Sequence, residues 1–358
     1  MGKQLKDNYL LFNQPELLYE AMLNDIFASQ HYIYLEVYKW GDDSIGDKFR
    51  DALTQMSRKG VKIRLLIDSW GAQVSSTYFS EMIQHGAEVR FFRKIIFSFN
   101  LFTRNHRRNH RKLMIIDDHI AYIGSANIAG HSLKWRELHM RATGGIALVL
   151  KKTFLDSFKN YNRYIQNTYS FKKTLQYGSF EIVQDMPTIY RQLVKRKYET
   201  LIKRARNSIV IETPYFLPGF KLRKALFNAA RRGVDVKIIM PLHSDIRTVD
   251  MLRDKYLGKF HLKNVKLFFY KPTNLHSKCF LMDDRIFALG TSNFDYRSFR
   301  YCHEIMLFGT EPLVVDQLKA HMDETLQECQ PFNHEAWLAR PLSEKIIGWL
   351  LVPFRHLF

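Results

Sequence analysis

Cysteine is scarce in this chain: Cys279, Cys302 and Cys329 are the only three in 358 residues. An odd count without metal-ligand spacing excludes a disulfide framework and argues against a zinc site, and it reads as reduced thiols in a cytosolic compartment. Long apolar runs are also lacking. The longest strongly apolar piece, IIGWLLVPF at 346–354, is far short of the ~20 residues a spanning helix needs. The opening stretch MGKQLKDNYLLFNQPELLYEAML has no continuous apolar segment, so neither a signal peptide nor a leading transmembrane helix is expected there. Acidic residues are in deficit, 35 against 54 lysines and arginines, for a net charge of +19. Such a surplus repels itself unless the protein works beside something anionic, and nucleic acid and anionic lipid are the candidates. With 46% hydrophobic and 14% aromatic residues, the chain can build sizeable cores, which excludes general disorder.

What is present is a repetition. IYLEVYKW (33–40), the helical pattern GDKFRDALTQMSRKG and VKIRLLID (61–68) form a β-α-β unit. The unit recurs as IVIETPYF (209–216), KLRKALFNAARRG and VDVKIIMP (234–241). Each copy has a glutamate at the fourth place of its first strand, Glu36 and Glu212, and each helix closes on a basic pair and a glycine. Downstream, NHRKLMIIDDHIAYIGSANI (109–128) is echoed by NLHSKCFLMDDRIFALGTSNF (274–294). Both read H-x-K-x4-D, with His110, Lys112 and Asp117 in one and His276, Lys278 and Asp283 in the other. After six further residues, each reaches a small-residue turn ending in asparagine, GSAN at 124–127 and GTSN at 290–293. The expectation is an α/β protein of two similar halves, residues 8–165 and 180–330, each a mostly parallel or mixed sheet flanked by helices. The segment 151–173 would bridge them and a tail would run from 331 to 358.

Side chains alternate along a strand, so a histidine and a lysine two places apart face one pocket. Asp117 and Asp283 complete the motifs, but their opposite parity suggests that they support the turn. Two imidazoles, two ammonium groups and the amides of Asn127 and Asn293, with Ser125 and Ser292 beside them, suit a phosphodiester. Cations and amides would stabilise the equatorial oxygens while one histidine attacks phosphorus and the other protonates the leaving oxygen. This chemistry calls for no metal and no cofactor. A carboxylate accepting from the far ring nitrogen would fix each tautomer, and Glu137 and Glu304 stand at matched offsets from the two motifs.

At these residues the sequence resembles the phospholipase D superfamily, with both HKD motifs on one chain and the likeness spanning nearly its whole length. Within that superfamily it is most similar to bacterial cardiolipin synthases, in ETPYFLP (212–218), in Trp135, Arg136, Glu137 and His139, and in Asn293, Asp295, Arg297 and Ser298. Cys302 stands where that family often has asparagine. The resemblance implies transfer of a phosphatidyl group between two phosphatidylglycerols through a phosphatidyl-histidine, releasing glycerol; the sequence does not rank the two histidines, and the expectation is His110 as nucleophile and His276 as acid and then base.

Membrane contact is expected from two segments. RKIIFSFNLFTRNHRRNHRK (93–112) has seven basic and no acidic residues around an apolar centre, with Ile95, Ile96, Phe97, Phe99, Leu101 and Phe102 as contact candidates. The tail 341–358 repeats the pattern with Trp349 and Phe354. Basic flanks around aromatic and aliphatic residues suit an anionic lipid surface, although a helix packed back on the core is the alternative for the tail. The expected partner is phosphatidylglycerol at the cytoplasmic side of a bacterial inner membrane. Hydrolysis to phosphatidic acid and a metal-independent nuclease use the same residues, but long aliphatics rather than isolated stacking aromatics accompany the basic residues, which disfavours nucleic acid.

Overall fold

A computed structural model describes residues 7–92, 106–162, 174–187 and 192–355. The apolar candidates Ile95, Ile96, Phe97, Phe99, Leu101 and Phe102 lie outside these residues. The first half contributes β1 (Asn8–Phe12), β2 (Tyr32–Val37), β3 (Lys62–Asp68), β4 (Glu88–Phe92), β5 (Arg108–Asn109), β6 (Leu113–Ile116), β7 (Ile120–Gly124), β8 (Trp135–Arg136) and β9 (His139–Thr143). The second contributes β10 (Thr174–Tyr177), β11 (Phe180–Asp185), β12 (Ser208–Glu212), β13 (Asp235–Pro241) and β14 (Lys266–Tyr270). It continues with β15 (Asn274–Leu275), β16 (Cys279–Met282), β17 (Ile286–Gly290), β18 (Cys302–Gly309) and β19 (Cys329–Pro331).

The two sheets share one plan. The first runs β1-β9-β7-β6-β2-β3-β4, and the second contains β11-β18-β17-β16-β12-β13-β14 in the matching order. In each, the three strands of the β-α-β region are parallel and the motif hairpin pairs with them antiparallel. Both crossover helices end as the basic-pair-glycine signature requires: Gly60 and Gly233 take φ values of +87° and +91°, a left-handed conformation that costs glycine little.

Strand periodicity sorts the cores. Leu113 and Ile115 face a central core while Met114 and Ile116 face the outer core of the first half. Likewise Cys279 and Leu281 point inward, and Phe280 and Met282 point to the outer core of the second half. The central core draws on both sheets and on helices Ile146–Asn160 and Pro312–Gln327. Residues 151–160, expected to bridge, therefore belong to a helix that starts at Ile146 and buries Leu150, Phe154 and Phe158 in this shared core. The segment expected as tail begins inside the second sheet, where β19 pairs antiparallel with β14.

Among the described residues no helix is long and apolar enough to cross a membrane. Helix Leu342–Leu350 buries only Gly348, where an added Cβ would lie 3.1 Å from the Met251 carbonyl oxygen. The Trp349 ring lies over the Lys255 ammonium, 4.0 Å from it. Leu342, Trp349, Leu350 and Phe354 stay 71%, 70%, 66% and 54% exposed. The helix docks closely at Gly348 and through the Trp349–Lys255 contact, while its bulky apolar side chains stay largely exposed.

Candidate active site

Two short pairings cross between the halves and build the site. β5 runs parallel to the start of β18, and β15 runs parallel to β8. The His110 N–H consequently donates to the His303 carbonyl at 3.0 Å, and the His276 N–H donates to the Arg136 carbonyl at 2.8 Å. Each accepting residue immediately precedes a glutamate. The carboxylate of Glu304 therefore meets Nδ1 of His110 at 3.0 Å, and that of Glu137 meets Nδ1 of His276 at 2.9 Å. The pairing is crossed, since each half's glutamate orients the other half's histidine. With Nδ1 engaged, Nε2 is the atom left for chemistry.

Both imidazoles line a cavity of about 430 Å³ together with Asn127 and Asn293. The Tyr38 ring stands edge-on to His110 at 5.1 Å, and the Trp135 ring is tilted against His276 at 4.9 Å. The Asn293 side-chain oxygen is buried without a hydrogen-bond partner, while that of Asn127 accepts from the Lys39 N–H at 3.2 Å. Lys112 and Lys278 are buried behind the wall and donate to the carbonyls of His110 and His276. Burial first, and for Lys112 the charge of Lys278, hold these ammonium groups down to about 7 for Lys112 and about 8 for Lys278.

The motif aspartates take the turn-supporting post that their strand parity suggested. Asp117 and Asp283 do not line the pocket. The Asp117 carboxylate accepts from the N–H groups of Gln30, His31 and Tyr32 at 2.6–2.8 Å. That of Asp283 accepts from Arg206, Asn207 and Ser208. Each aspartate has a positive φ, 50° and 55°, so it turns the motif hairpin and pins it to the start of the central strand. They are structural members of the motif rather than catalytic groups. Ser125 is not phosphate-facing either: its hydroxyl donates to Glu137 and accepts from the Leu138 N–H. Its counterpart is Thr291, which donates to Glu304, whereas the Ser292 hydroxyl donates to the Asn293 carbonyl. The glycines before them, Gly124 and Gly290, have no room for a Cβ, which would come within 2.4 Å of the carbonyls of Leu138 and Ile305.

The odd residue of H-x-K points to the opposite face and meets the repeated strand glutamate. Arg111 approaches Glu36 at 3.5 Å, and the Ser277 hydroxyl donates to Glu212, which also accepts from His321 at 2.9 Å. Arg108, which the sequence reading passed over, forms a buried ion pair with Asp68 at 3.3 Å, and Asp68 also accepts from the Asn109 N–H. No sequence signal marked it, because Asp68 lies forty residues upstream. Among the described residues, Glu212, Cys279 and His321 form a buried group within reach of one metal ion, but off the pocket wall.

The two histidines sit in different fields. Burial lowers His110 well below its ordinary value, helped by the charges of Lys112, Lys278, His276 and Arg297. Burial lowers His276 too, but Glu137 and Asp245 work in the opposite direction. The glutamates mirror this. Burial pushes Glu304 up to about 8. For Glu137 burial is outweighed by the His276 charge and hydrogen bond, which hold it at about 2.

Paired halves with two crossed histidine–glutamate units around one pocket define a phospholipase D-type protein. Residues 22–159 and 198–326 match the family profile described as cardiolipin synthase, phospholipase D-like domain, and the chain belongs to that family. It is 31% identical over 342 residues to the major cardiolipin synthase of Bacillus subtilis, covering 92% of this chain and 70% of that protein. It is 28% identical over 353 residues to a cardiolipin synthase of Clostridium perfringens, covering 94% and 74%. A phosphatidylserine synthase of Haemophilus influenzae shares the fold, with a TM-score of 0.79 at 16% identity over 100% of this chain and 96% of that one.

Proposed function

We propose that this chain is a phosphatidyltransferase that joins two phosphatidylglycerols into cardiolipin and glycerol. The observation that carries the reading is the pair of crossed His–Glu units facing one pocket. His110, held neutral by burial and surrounding cations, attacks phosphorus through Nε2. The P–O bond to the glycerol headgroup breaks, and that oxygen takes the proton of His276. In the second step His276 removes the proton from a hydroxyl of the incoming phosphatidylglycerol. The new P–O bond forms as the P–N bond to His110 breaks, and cardiolipin leaves. Asn127 and Asn293 orient the phosphoryl oxygens, and the charges of Lys112 and Lys278 behind the wall offset theirs through both steps.

The pocket would meet its lipid at the cytoplasmic face of a bacterial membrane, bound peripherally. The net charge of +19, the outward apolar side chains of helix Leu342–Leu350 and three free cysteines support this placement. Truncating 341–358 should reduce co-sedimentation with phosphatidylglycerol vesicles, and unchanged binding removes the tail from the membrane contact.

The activity is tested by incubating the purified chain with phosphatidylglycerol vesicles and identifying the products. Cardiolipin and glycerol are expected. Phosphatidic acid alone would make the protein a hydrolase, and cleavage of DNA or RNA with no lipid turnover would overturn the lipid reading. His110→Ala and His276→Ala should each abolish turnover.

A further inference from the structure

The pocket wall is chemically divided. The wall carries the cations Lys39, Arg108 and Arg297 and two carboxylates: Asp295 is buried beside Arg297 and accepts from the Ser298 N–H, whereas Asp245 stands with His131 and Tyr215 on the His276 side. The division breaks the internal repeat: four places beyond the pocket asparagine, the first half has His131 where the second has Arg297. Asp245 lies on the loop that follows β13, at the carboxyl end of a parallel strand, where open α/β sheets place ligand-binding groups. It is exposed, and among the described residues no basic side chain forms an ion pair with it. The Tyr215 hydroxyl donates to its Oδ1 at 2.5 Å, and Tyr215 also lines the pocket.

Asp295 caps the helix that follows it, but Asp245 caps no helix among the described residues, and because a carboxylate repels phosphate, phosphate binding gives it no use. It does suit hydroxyl groups, because an ionised carboxylate is an acceptor with about four lone-pair sites. Its place matters as much as its chemistry. Asp245 acts on His276 and Lys278 through space, and His276 is the group that gives a proton to the leaving alcohol and takes one from the incoming alcohol. The carboxylate therefore stands where the non-reacting hydroxyls of a glycerol headgroup pass.

We propose that Asp245, held in place by Tyr215, is the hydroxyl-recognition group of an alcohol subsite on the His276 side and selects a polyol headgroup as acceptor over simple alcohols and water. This rests on the phosphatidyltransferase reading. In each transfer the reacting hydroxyl goes to His276 while a neighbouring free hydroxyl donates to the Asp245 carboxylate. Arg297, Asn127 and Asn293 serve the phosphodiester, so its site is separate from the hydroxyl site at Asp245.

The test uses the full chain with phosphatidylglycerol vesicles and competing added acceptors, isotope-labelled glycerol and 1-propanol. Products are resolved as labelled phosphatidylglycerol, phosphatidylpropanol and phosphatidic acid. Partition between acceptors is read as a ratio, so it is independent of how fast the phosphatidyl-enzyme forms. Asp245→Asn should lower the glycerol-to-propanol ratio by roughly 10- to 100-fold, the loss expected for a hydrogen bond to a charged acceptor. Tyr215→Phe should shift it the same way by less, and it serves as the second variant if Asp245→Asn does not fold. An unchanged ratio in the folded variant overturns the inference while leaving the transferase reading intact. A wild-type chain that makes cardiolipin but does not favour labelled glycerol over propanol overturns the inference alone, and one that makes neither cardiolipin nor either exchange product overturns the transferase reading with it.

Discussion

The crossed pairing makes Glu137→Gln the most informative substitution. Both carboxylate oxygens of Glu137 lie 2.9 Å from Nδ1 of His276, and the pair is buried. The amide can still accept from Nδ1–H, so the ring keeps its orientation and loses only the opposing charge. A buried opposite charge at this range raises a histidine's proton affinity by about 1–3 pKa units, and each unit is worth about 1.4 kcal/mol. The imidazolium needed to protonate leaving glycerol should therefore become ~10- to 1,000-fold rarer near neutral pH. The assay is cardiolipin formation from phosphatidylglycerol vesicles, with circular dichroism and thermal melting to verify folding. A folded Glu137→Gln variant with less than a tenfold loss would refute the reasoning.

The pH dependence follows from the buried cations. Lys112 and Lys278, held down to about 7 and about 8, lose their charge as pH rises. The value of kcat/KM should then fall from near neutrality upward, and a profile flat to pH 9 would contradict the assignment. On the acid side His110, lowered well below its ordinary 6.5, stays neutral as pH falls, so the acid limb should lie below that value in the same profile. Arg108→Ala leaves the Asp68 carboxylate buried beside the site without its ion-pair partner. A cost of about 3 kcal/mol or more is expected, read as a fall in Tm of at least ~5 °C.

Much of this protein was legible in one dimension. Strand alternation alone put His110 with Lys112 and His276 with Lys278 on one face each, and the opposite parity of Asp117 and Asp283 already pointed to a turn-supporting role. The repeated β-α-β unit implied two halves of like topology, which the matching sheet orders bear out. These features are local: they depend on a period of two residues, on helix ends and on turn chemistry, all set within a few residues of each other.

What the sequence could not decide is which glutamate serves which histidine. Glu137 and Glu304 stand at nearly equal offsets from their own motifs, yet each crosses to the other half, because β5 pairs with β18 and β8 pairs with β15. Those contacts join residues 139 and 194 positions apart, and nothing in a local pattern encodes a backbone hydrogen bond over such a span. The same reason hid Arg108 with Asp68, the turn from phosphate ligand to glutamate support in Ser125, and Asp245 on the pocket wall. The sequence by itself determined the chemical groups and the face each strand presents. Only the packing of one half on the other decided which groups meet, since shared backbone pairing and a common central core set the distances over which buried charges act.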